Sequence, residues 1–176
     1  MLQVNIPAAE YFDERTEEFI EVKAYTLQLE HSLISISKWE AKWCKPFLSK
    51  DPKTEEETID YIRCMTITQN VDPMAYHAIP DSELKRIKEY INAPMTATWF
   101  SDRDKRPPSR RVVTSELVYY WMVAQNIPFE CEKWHFNRLM TLIRICGEKN
   151  QPDKKMSKSD RKSLMAQRRA AHKPRV

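Results

Sequence analysis

The strongest hydrophobic pattern in the chain runs through Ser115–Cys146, where apolar residues recur at the 3.6-residue period of an α-helix. Asn126, Ile127 and Pro128 interrupt this pattern and predict a turn between two amphipathic helices. Because each apolar stripe needs a partner surface, we expect this helix pair to form the centre of the fold. The stripe of the first helix consists of Leu117, Val118, Tyr120, Trp121 and Ala124, and that of the second consists of Cys131, Trp134, His135, Leu139, Leu142, Ile143 and Cys146.

Further helices are predicted from their start and stop signals. Side chains that can accept a hydrogen bond from the first turn mark helix starts, and proline marks the stops. The predicted cap residues are Ser32, Thr54 (with Glu57 three residues on), Asp72 (before Pro73) and Asp81, and the predicted stops are Pro46 and Pro94. The apolar positions expected to face inward are Leu33, Ile36, Trp39 and Trp43, then Ile59, Ile62 and Met65, then Leu84, Ile87 and Ile91.

Short alternating runs near the N-terminus, Leu2–Ile6, Phe19–Lys23 and Tyr25–Leu29, predict β-strands. A small ribbon is only marginally stable by itself, so it must pack on helices or on another chain. The predicted fold is therefore mainly α, with about six packed helices, a small N-terminal β element and a flexible basic C-terminal tail. We expect residues 1–30 to form a β-rich segment packed on the body, residues 31–150 the helical body, and residues 151–176 a disordered or frayed-helical tail.

Among its 176 residues the chain has one glycine, Gly147. Phosphate-binding loops, nucleophile elbows and dinucleotide fingerprints need several glycines, so these functional classes are excluded. Gly147 is instead expected to end the second central helix as a left-handed cap. No apolar run reaches the length of a membrane span, and the first residues do not resemble a signal peptide.

Charge is distributed unevenly along the sequence. Residues 151–176 contain nine basic and two acidic side chains, a net +7, while the whole chain is at +4 and the remainder is therefore at −3. The tail could bind nucleic acid by releasing counterions from phosphates, or it could be a solvated extension that keeps the protein soluble. The basic residues of the tail are Lys154, Lys155, Lys158, Arg161, Lys162, Arg168, Arg169, Lys173 and Arg175.

Two short motifs suggest chemistry but lack the partners that this chemistry needs. Lys155–Ser159 reads KMSKS, the phosphate-binding signature of class I aminoacyl-tRNA synthetases, but the glycine- and histidine-containing partner motif is absent. Cys131 and His135 are spaced like two metal ligands on one helix face, but a structural zinc needs four ligands. The simpler interpretation is coincidence for the first motif and core packing for the second. Catalytic residues, cofactors and metals are therefore not predicted.

The four cysteines and the aromatic residues are expected to belong mainly to the core. Cys44, Cys64, Cys131 and Cys146 form no CxxC pair and are interpreted as small buried apolar residues. Trp39, Trp43, Trp121 and Trp134 lie at helical spacing and are likewise interpreted as core residues.

Trp99 and Phe100 are open between core packing and partner contact, since a polar, arginine-rich loop, residues 101–111, follows them. They are combined here with basic residues of this loop and of the tail as a candidate partner-binding set. Its members are Trp99, Phe100, Arg103, Arg106, Arg110, Arg111, Lys154, Lys155, Lys158, Arg161, Lys162, Arg168 and Arg169.

Three stretches together resemble one family. They are HSLISISKWEAKWCKPFL at His31–Leu48, APMTATWF at Ala93–Phe100 and YYWMVAQNIPFECEKWHFNRLMTLIR at Tyr119–Arg144. In this order, between an N-terminal IPAAEYFDERTEEFI segment and a KKMS tail, they are similar to the tail assembly chaperones of long-tailed bacteriophages.

The resemblance implies a non-enzymatic protein in the cytoplasm of an infected bacterium. Such chaperones bind the long, helical tape measure protein, keep it from aggregating and help tail-tube subunits assemble around it, so the tail-tube protein is a second candidate partner. It also implies a longer product made by ribosomal frameshifting, for which the codons of Lys154 and Lys155 are the candidate site. The alternative function is a nucleic-acid-binding or DNA-packaging accessory protein that acts through the basic tail.

Overall fold

The computed structural model describes residues 1–13, 18–100, 112–149 and residue 165. The chain divides into two compact units, Met1–Arg144 and Ile145–Val176. The N-terminal strands and the helices up to Arg144 therefore belong to one unit. In the second unit, the described residues are the last turn of a helix, through Lys149, and Met165, which is helical.

The N-terminal region is a long antiparallel β-hairpin interrupted once on each side. Its strands are β1 Leu2–Ile6, β2 Ala9–Asp13, β3 Glu18–Val22 and β4 Tyr25–Leu29, and β1 pairs with β4 while β2 pairs with β3. The register runs from Leu2 opposite Leu29 to Asp13 opposite Glu18 without a shift. Pro7, which has no backbone N–H, lies at the interruption. The three predicted strands are confirmed, whereas β2 was missed because AEYFD does not alternate cleanly between apolar and polar residues.

The rest of the described chain consists of helices and the loops that join them, which confirms a mainly α fold. The α-helices are α1 Leu33–Trp43, α2 Glu55–Met65, α3 Asp81–Asn92, α4 Ser115–Ala124 and α5 Phe136–Lys149, and two 3-10 helices cover Pro73–Ala78 and Phe129–Lys133. Within the described ranges, none of these helices combines the length and the apolar character needed to cross a lipid bilayer.

Three of the predicted helix caps are confirmed by hydrogen bonds. The side chain of Ser32 accepts from the backbone N–H of Ser35, and the side chain of Thr54 accepts from that of Glu57. In both cases the third residue of the helix returns a bond to the backbone of the cap. Asp72 accepts from the N–H of Met74 at the start of the first 3-10 helix. Each cap satisfies a donor that the first helical turn leaves without an internal partner.

Two other terminal predictions are wrong. Asp81 is the first residue of α3 and does not cap it; Pro80 occupies the cap position without a side-chain bond. Gly147 lies inside α5 and does not have a positive φ angle. The left-handed positions in the described ranges are taken by Cys44, Asn70, Met95 and Asn126, so non-glycine residues make the turns.

The second central helix is shorter than predicted, because residues 129–135 do not continue α5. The N–H of Phe136 donates to the carbonyl of His31 at 2.7 Å, and Ser32 and His135 form an isolated antiparallel bridge. This contact with the start of α1 holds Trp134 and His135 in an extended conformation between the 3-10 helix and α5. Cys131 and His135 therefore do not share a helix face.

The buried apolar residues come from the hairpin and from all five α-helices. Of the residues predicted to face inward on α1, α2 and α3, six are buried: Leu33, Ile36, Trp39, Ile62, Met65 and Ile87. The other four are only half-buried: Trp43, Ile59, Leu84 and Ile91. The indole N–H of Trp39 donates to the carbonyl of Glu57 at 2.8 Å, so its one polar atom is satisfied inside the core. Two carboxylates of α2 form ion pairs with lysines of α1 and of the loop after it. Asp60 accepts from Lys42, and Glu57 lies 2.5 Å from the ammonium of Lys45.

A buried carboxylate of α1 fixes the start of α4. The two oxygens of Glu40 accept from the backbone N–H groups of Phe47 and Ser115, each at 2.7 Å. Ser115 is the first residue of α4, and Thr114 at the cap position makes no side-chain cap bond. Glu40 therefore replaces the missing local cap with one from another helix, and its negative charge lies where the helix dipole favours it.

Replacing Glu40 with alanine should lower the free energy of unfolding by about 2–4 kcal/mol, since two buried N–H groups lose a charged acceptor. Urea denaturation measures this change. Glu89→Ala, on the exposed side of α3, is the matched control and should stay within about 0.5 kcal/mol of the parent. A loss for Glu40→Ala as small as that of the control would contradict the capping role.

Candidate functional site

The outer side of α4 is an apolar surface exposed to solvent. Val118 and Met122 on the inner side are buried, while Tyr120 is 63% and Val123 58% exposed and Ala124 is also exposed. The prediction that Tyr120 and Ala124 face inward is wrong, and Met122 was missed. The helix SELVYYWMVA is apolar around most of its circumference, so its periodicity could not identify the inner side.

The second 3-10 helix extends this surface. Asn126 takes a left-handed conformation, and the N–H of Ile127 donates to the carbonyl of Met122 at 2.9 Å, which turns the chain back along α4. Phe129 is then 54% exposed, and its ring centroid lies 6.3 Å from that of Tyr119. We call the surface formed by Tyr119, Tyr120, Val123, Ala124 and Phe129 the α4 face.

Tyr119 ties the two elements together. Its hydroxyl donates to a carboxylate oxygen of Glu132 at 2.8 Å. Burial raises the pKa of Tyr119 above its ordinary value, and the hydrogen bond to Glu132 and the charge of that carboxylate raise it further. The hydroxyl therefore stays protonated and continues to donate over the whole range in which the protein would function.

The charged residues on α4 and the second 3-10 helix are mostly acidic. They are Glu116, Glu130, Glu132 and Lys133, a net −2 on a chain whose total is +4. Backbone N–H donation at Glu116, with further donation from the hydroxyls of Thr114 and Ser115, lowers the pKa of the Glu116 carboxyl. Glu116 and Glu130 are exposed, so the apolar surface has carboxylates at its margin that can contact a partner.

The structure describes two residues of the candidate partner-binding set, Trp99 and Phe100. Trp99 is 93% exposed, whereas Phe100 is half-buried under the guanidinium of Arg144, which lies 3.5 Å from its ring centroid. The start of their segment is held by Asn137, whose side-chain amide donates to the carbonyls of Ile91 and Ala93 at 3.0 and 2.8 Å. The other members lie outside the described residues: Arg103, Arg106, Arg110, Arg111, Lys154, Lys155, Lys158, Arg161, Lys162, Arg168 and Arg169.

Of the four tryptophans interpreted as core residues, Trp39 is confirmed as buried, and the other three are half-buried. Trp39 is fully inside, and its ring stacks with that of Trp43 at 6.2 Å. Trp121 and Trp134 are half-buried, and the guanidinium of Arg138 lies 4.4 Å from the Trp134 ring centroid. The exposure of Trp99 is therefore unusual among the tryptophans of this protein.

The cysteines and histidines do not form a metal site in the described part of the chain, where no group of three potential ligands is close enough to hold an ion. Cys131 is buried as predicted, Cys64 and Cys146 are half-buried, and Cys44 is exposed, so the expectation of burial is wrong for Cys44. Cys44 ends α1 in a left-handed conformation, which places it outside the helix stripe.

His31 and His135 instead form a buried polar contact between the end of the hairpin, α3 and the start of α5. Their ring centroids are 5.1 Å apart. Nε2 of His135 donates to the carbonyl of Tyr90 at 3.0 Å, while its Nδ1 accepts from the N–H of Asn137. Nδ1 of His31 shares a hydrogen bond with the hydroxyl of Tyr61. Because Nδ1 of His135 accepts from a backbone N–H, the His135 ring is used in its neutral form.

Burial lowers the pKa of both histidines. For His31 the pKa falls to about 3, because burial disfavours the imidazolium and because His135 is nearby. For His135, burial is again the largest cause, opposed by the carbonyl of Tyr90 and the carboxylate of Glu30.

Met122→Ala should lower the free energy of unfolding by about 2–5 kcal/mol, because it leaves a cavity beneath α4. Tyr120→Ala removes a larger side chain from the same helix but should change stability by less than about 0.5 kcal/mol, because that side chain is mostly in solvent. Urea denaturation of both variants makes the comparison. Equal losses would contradict the assignment of the inner and outer sides.

The protein should become less stable as the pH falls from about 6.5 towards 3. In this window the unfolded chain protonates His31 and the folded chain does not, so the unfolded state gains stability, by about 2 kcal/mol between pH 7 and pH 5 from this residue. Urea denaturation at several pH values measures the slope.

His31→Asn is the test variant, because asparagine can still form a hydrogen bond with Tyr61 but cannot titrate. Its free energy of unfolding should fall less than that of the parent as the pH is lowered. His77→Asn, at an exposed position, should show the same dependence of stability on pH as the parent. An unchanged slope in His31→Asn would assign the acid sensitivity to other groups.

Comparison with known proteins gives no significant match to a family model, a curated protein or a solved structure. The similarity to phage tail assembly chaperones therefore stays a prediction, and the features of the described residues that bear on function are the exposed α4 face and the acidic residues near it.

Proposed function

We propose that this protein is a phage tail assembly chaperone that binds the tape measure protein in the cytoplasm of the infected host, without catalysis, and assists assembly of the tail tube around it. The observation that carries the proposal is the α4 face. Tyr120 and Val123 are exposed on α4, and Phe129 is exposed on the second 3-10 helix, where its ring lies beside that of Tyr119. The opposite sides of both elements are buried. Contiguous exposed apolar residues on a folded protein are typical of an interaction site.

The shape of this surface suits a helical partner. An amphipathic helix binds by placing its apolar stripe along a matching row of side chains. On the α4 face, Val123 lies three residues after Tyr120 and four after Tyr119, so these three side chains form one such row. Phe129, on the second 3-10 helix, lies beside Tyr119 and widens the row. A client helix laid parallel to α4 would contact both the row and Phe129.

The size of the surface favours reversible binding. Fully burying one large apolar side chain contributes roughly 1.5–3 kcal/mol, and the three principal residues are little more than half exposed. A single client helix therefore gains a few kcal/mol of contact energy, well short of the roughly 8 kcal/mol that corresponds to micromolar affinity. A long client with many helices can occupy several copies of the chaperone, and each copy can leave as the tube assembles.

Co-expression with a phage tape measure protein tests the proposal. We expect the soluble yield of the tape measure protein to rise several-fold, and we expect Tyr120→Ala to remove most of this gain. Ile67→Ala is the matched control, since Ile67 is also an exposed apolar residue but lies beyond α2, and it should retain the gain. Equal precipitation of the client with and without the chaperone would contradict the proposal.

The basic tail supports one alternative, binding to nucleic acid. Its net charge of +7 over residues 151–176 predicts an affinity for DNA or RNA that falls steeply with salt and disappears when Gln151–Val176 is deleted. The co-expression assay separates the two functions, because a nucleic-acid-binding protein has no reason to keep the tape measure protein soluble through Tyr120.

A further inference from the structure

The α4 face carries a chemical preference in addition to its apolar character. Glu116 lies four residues before Tyr120, so its carboxylate is on the same side of α4 and one turn away. Glu130 directly follows Phe129 and is also exposed. Glu132 is placed beside Tyr119 by their hydrogen bond, and Lys133 is the only cation on these two elements.

We propose that the α4 face selects amphipathic helices that carry lysine or arginine beside their apolar stripe, with Glu116 and Glu130 as the selecting residues. This inference rests on the proposed function, because it names the chemistry of the client segment that the same surface would bind. The partner is a basic amphipathic helix of another protein, in preference to an acidic or uncharged one.

Long basic side chains suit this surface for two physical reasons. Their methylene groups can lie along the exposed rings of Tyr120 and Phe129 while the charged ends reach the carboxylates at the margin. A cation above an aromatic ring gains a further attraction from the ring electrons. The same chemistry already occurs within this protein, where Arg144 covers the ring of Phe100 and Arg138 that of Trp134.

The charges also act before contact. A partner with basic flanks is attracted to a locally acidic surface, and like charges on an acidic helix are repelled from it, so the margin sets specificity and association rate more than affinity. The carboxylates are solvent-exposed, and the selection should therefore weaken as salt is added. At high salt, the apolar contacts alone would remain.

Two labelled helical peptides test the inference with the full-length protein. Both carry the same Leu/Ala stripe, one with lysines and the other with glutamates on its flanks, and a scrambled lysine peptide controls for non-specific attraction. Fluorescence anisotropy in low salt should show the lysine peptide binding roughly fivefold to tenfold more tightly than the glutamate peptide, because exposed ion pairs contribute only a little each. The scrambled peptide should bind more weakly than both designed helices.

The double variant Glu116→Lys/Glu130→Lys should reverse the preference between the two peptides. Glu21→Lys/Glu89→Lys changes the net charge equally at exposed positions on β3 and α3, and it should keep the parent's preference. If the control also reverses, net charge and not the margin of the α4 face selects the partner, and the inference is wrong. Circular dichroism of each variant verifies that its helices are retained.

Failure of the inference can be distinguished from failure of the proposed function. Equal binding of the lysine and glutamate peptides would overturn the charge selection while leaving the α4 face as a docking surface. If no helical peptide binds but co-expression still raises the soluble yield of the tape measure protein, the chaperone works through another surface. The inference about charge selection is then wrong, while the proposed function is retained. Self-association that Tyr120→Ala abolishes, without peptide binding, would identify a second copy as the occupant and would also overturn it.

Discussion

The position of α4 depends on the contact between the Glu40 carboxylate and the first N–H of that helix. A helix that is apolar around most of its circumference has no preferred inner side when considered by itself. Glu40 anchors the start of α4 to α1, and Val118 and Met122 then become the residues that face the core. Because the same carboxylate also accepts from Phe47, the end of α1, the following turn and α4 are held by one side chain.

The exposure of the α4 face follows from this anchor. Once Val118 and Met122 are fixed inside, Tyr120 and Val123 must point to solvent, since they lie on the opposite side of a rigid helix. A protein that needed this helix only for its core would gain solubility from polar residues at these positions. Exposed carboxylates adjoin this surface in the chain: Glu116 lies one helical turn before Tyr120, and Glu130 follows Phe129.

Local signals in the sequence were sufficient to predict three of the strands and several helix starts. They were insufficient where contacts between residues far apart in the chain determine the structure. The caps at Ser32 and Thr54 depend on residues three positions away, so their pattern could be recognised without the fold. The break before α5 depends on the bond from Phe136 to His31, about a hundred residues apart in sequence, and no local pattern signals it. The α4 face was missed for the same reason: Glu40 selects the inner side of the helix, and it belongs to α1.

The separation of stability from binding is the physical consequence of this arrangement. Of the buried apolar residues that the structure describes, half lie in the hairpin, α1 and α2, and α4 contributes through its inner side. Tyr120 and Phe129 can therefore change with little effect on folding, while the residues that hold α4 in place, such as Glu40, do not need to contact a partner. Since the exposed row is short, the free energy available from one contact stays small. Under the proposed function, a stable core that presents a weak contact would let several copies hold a long client without trapping it.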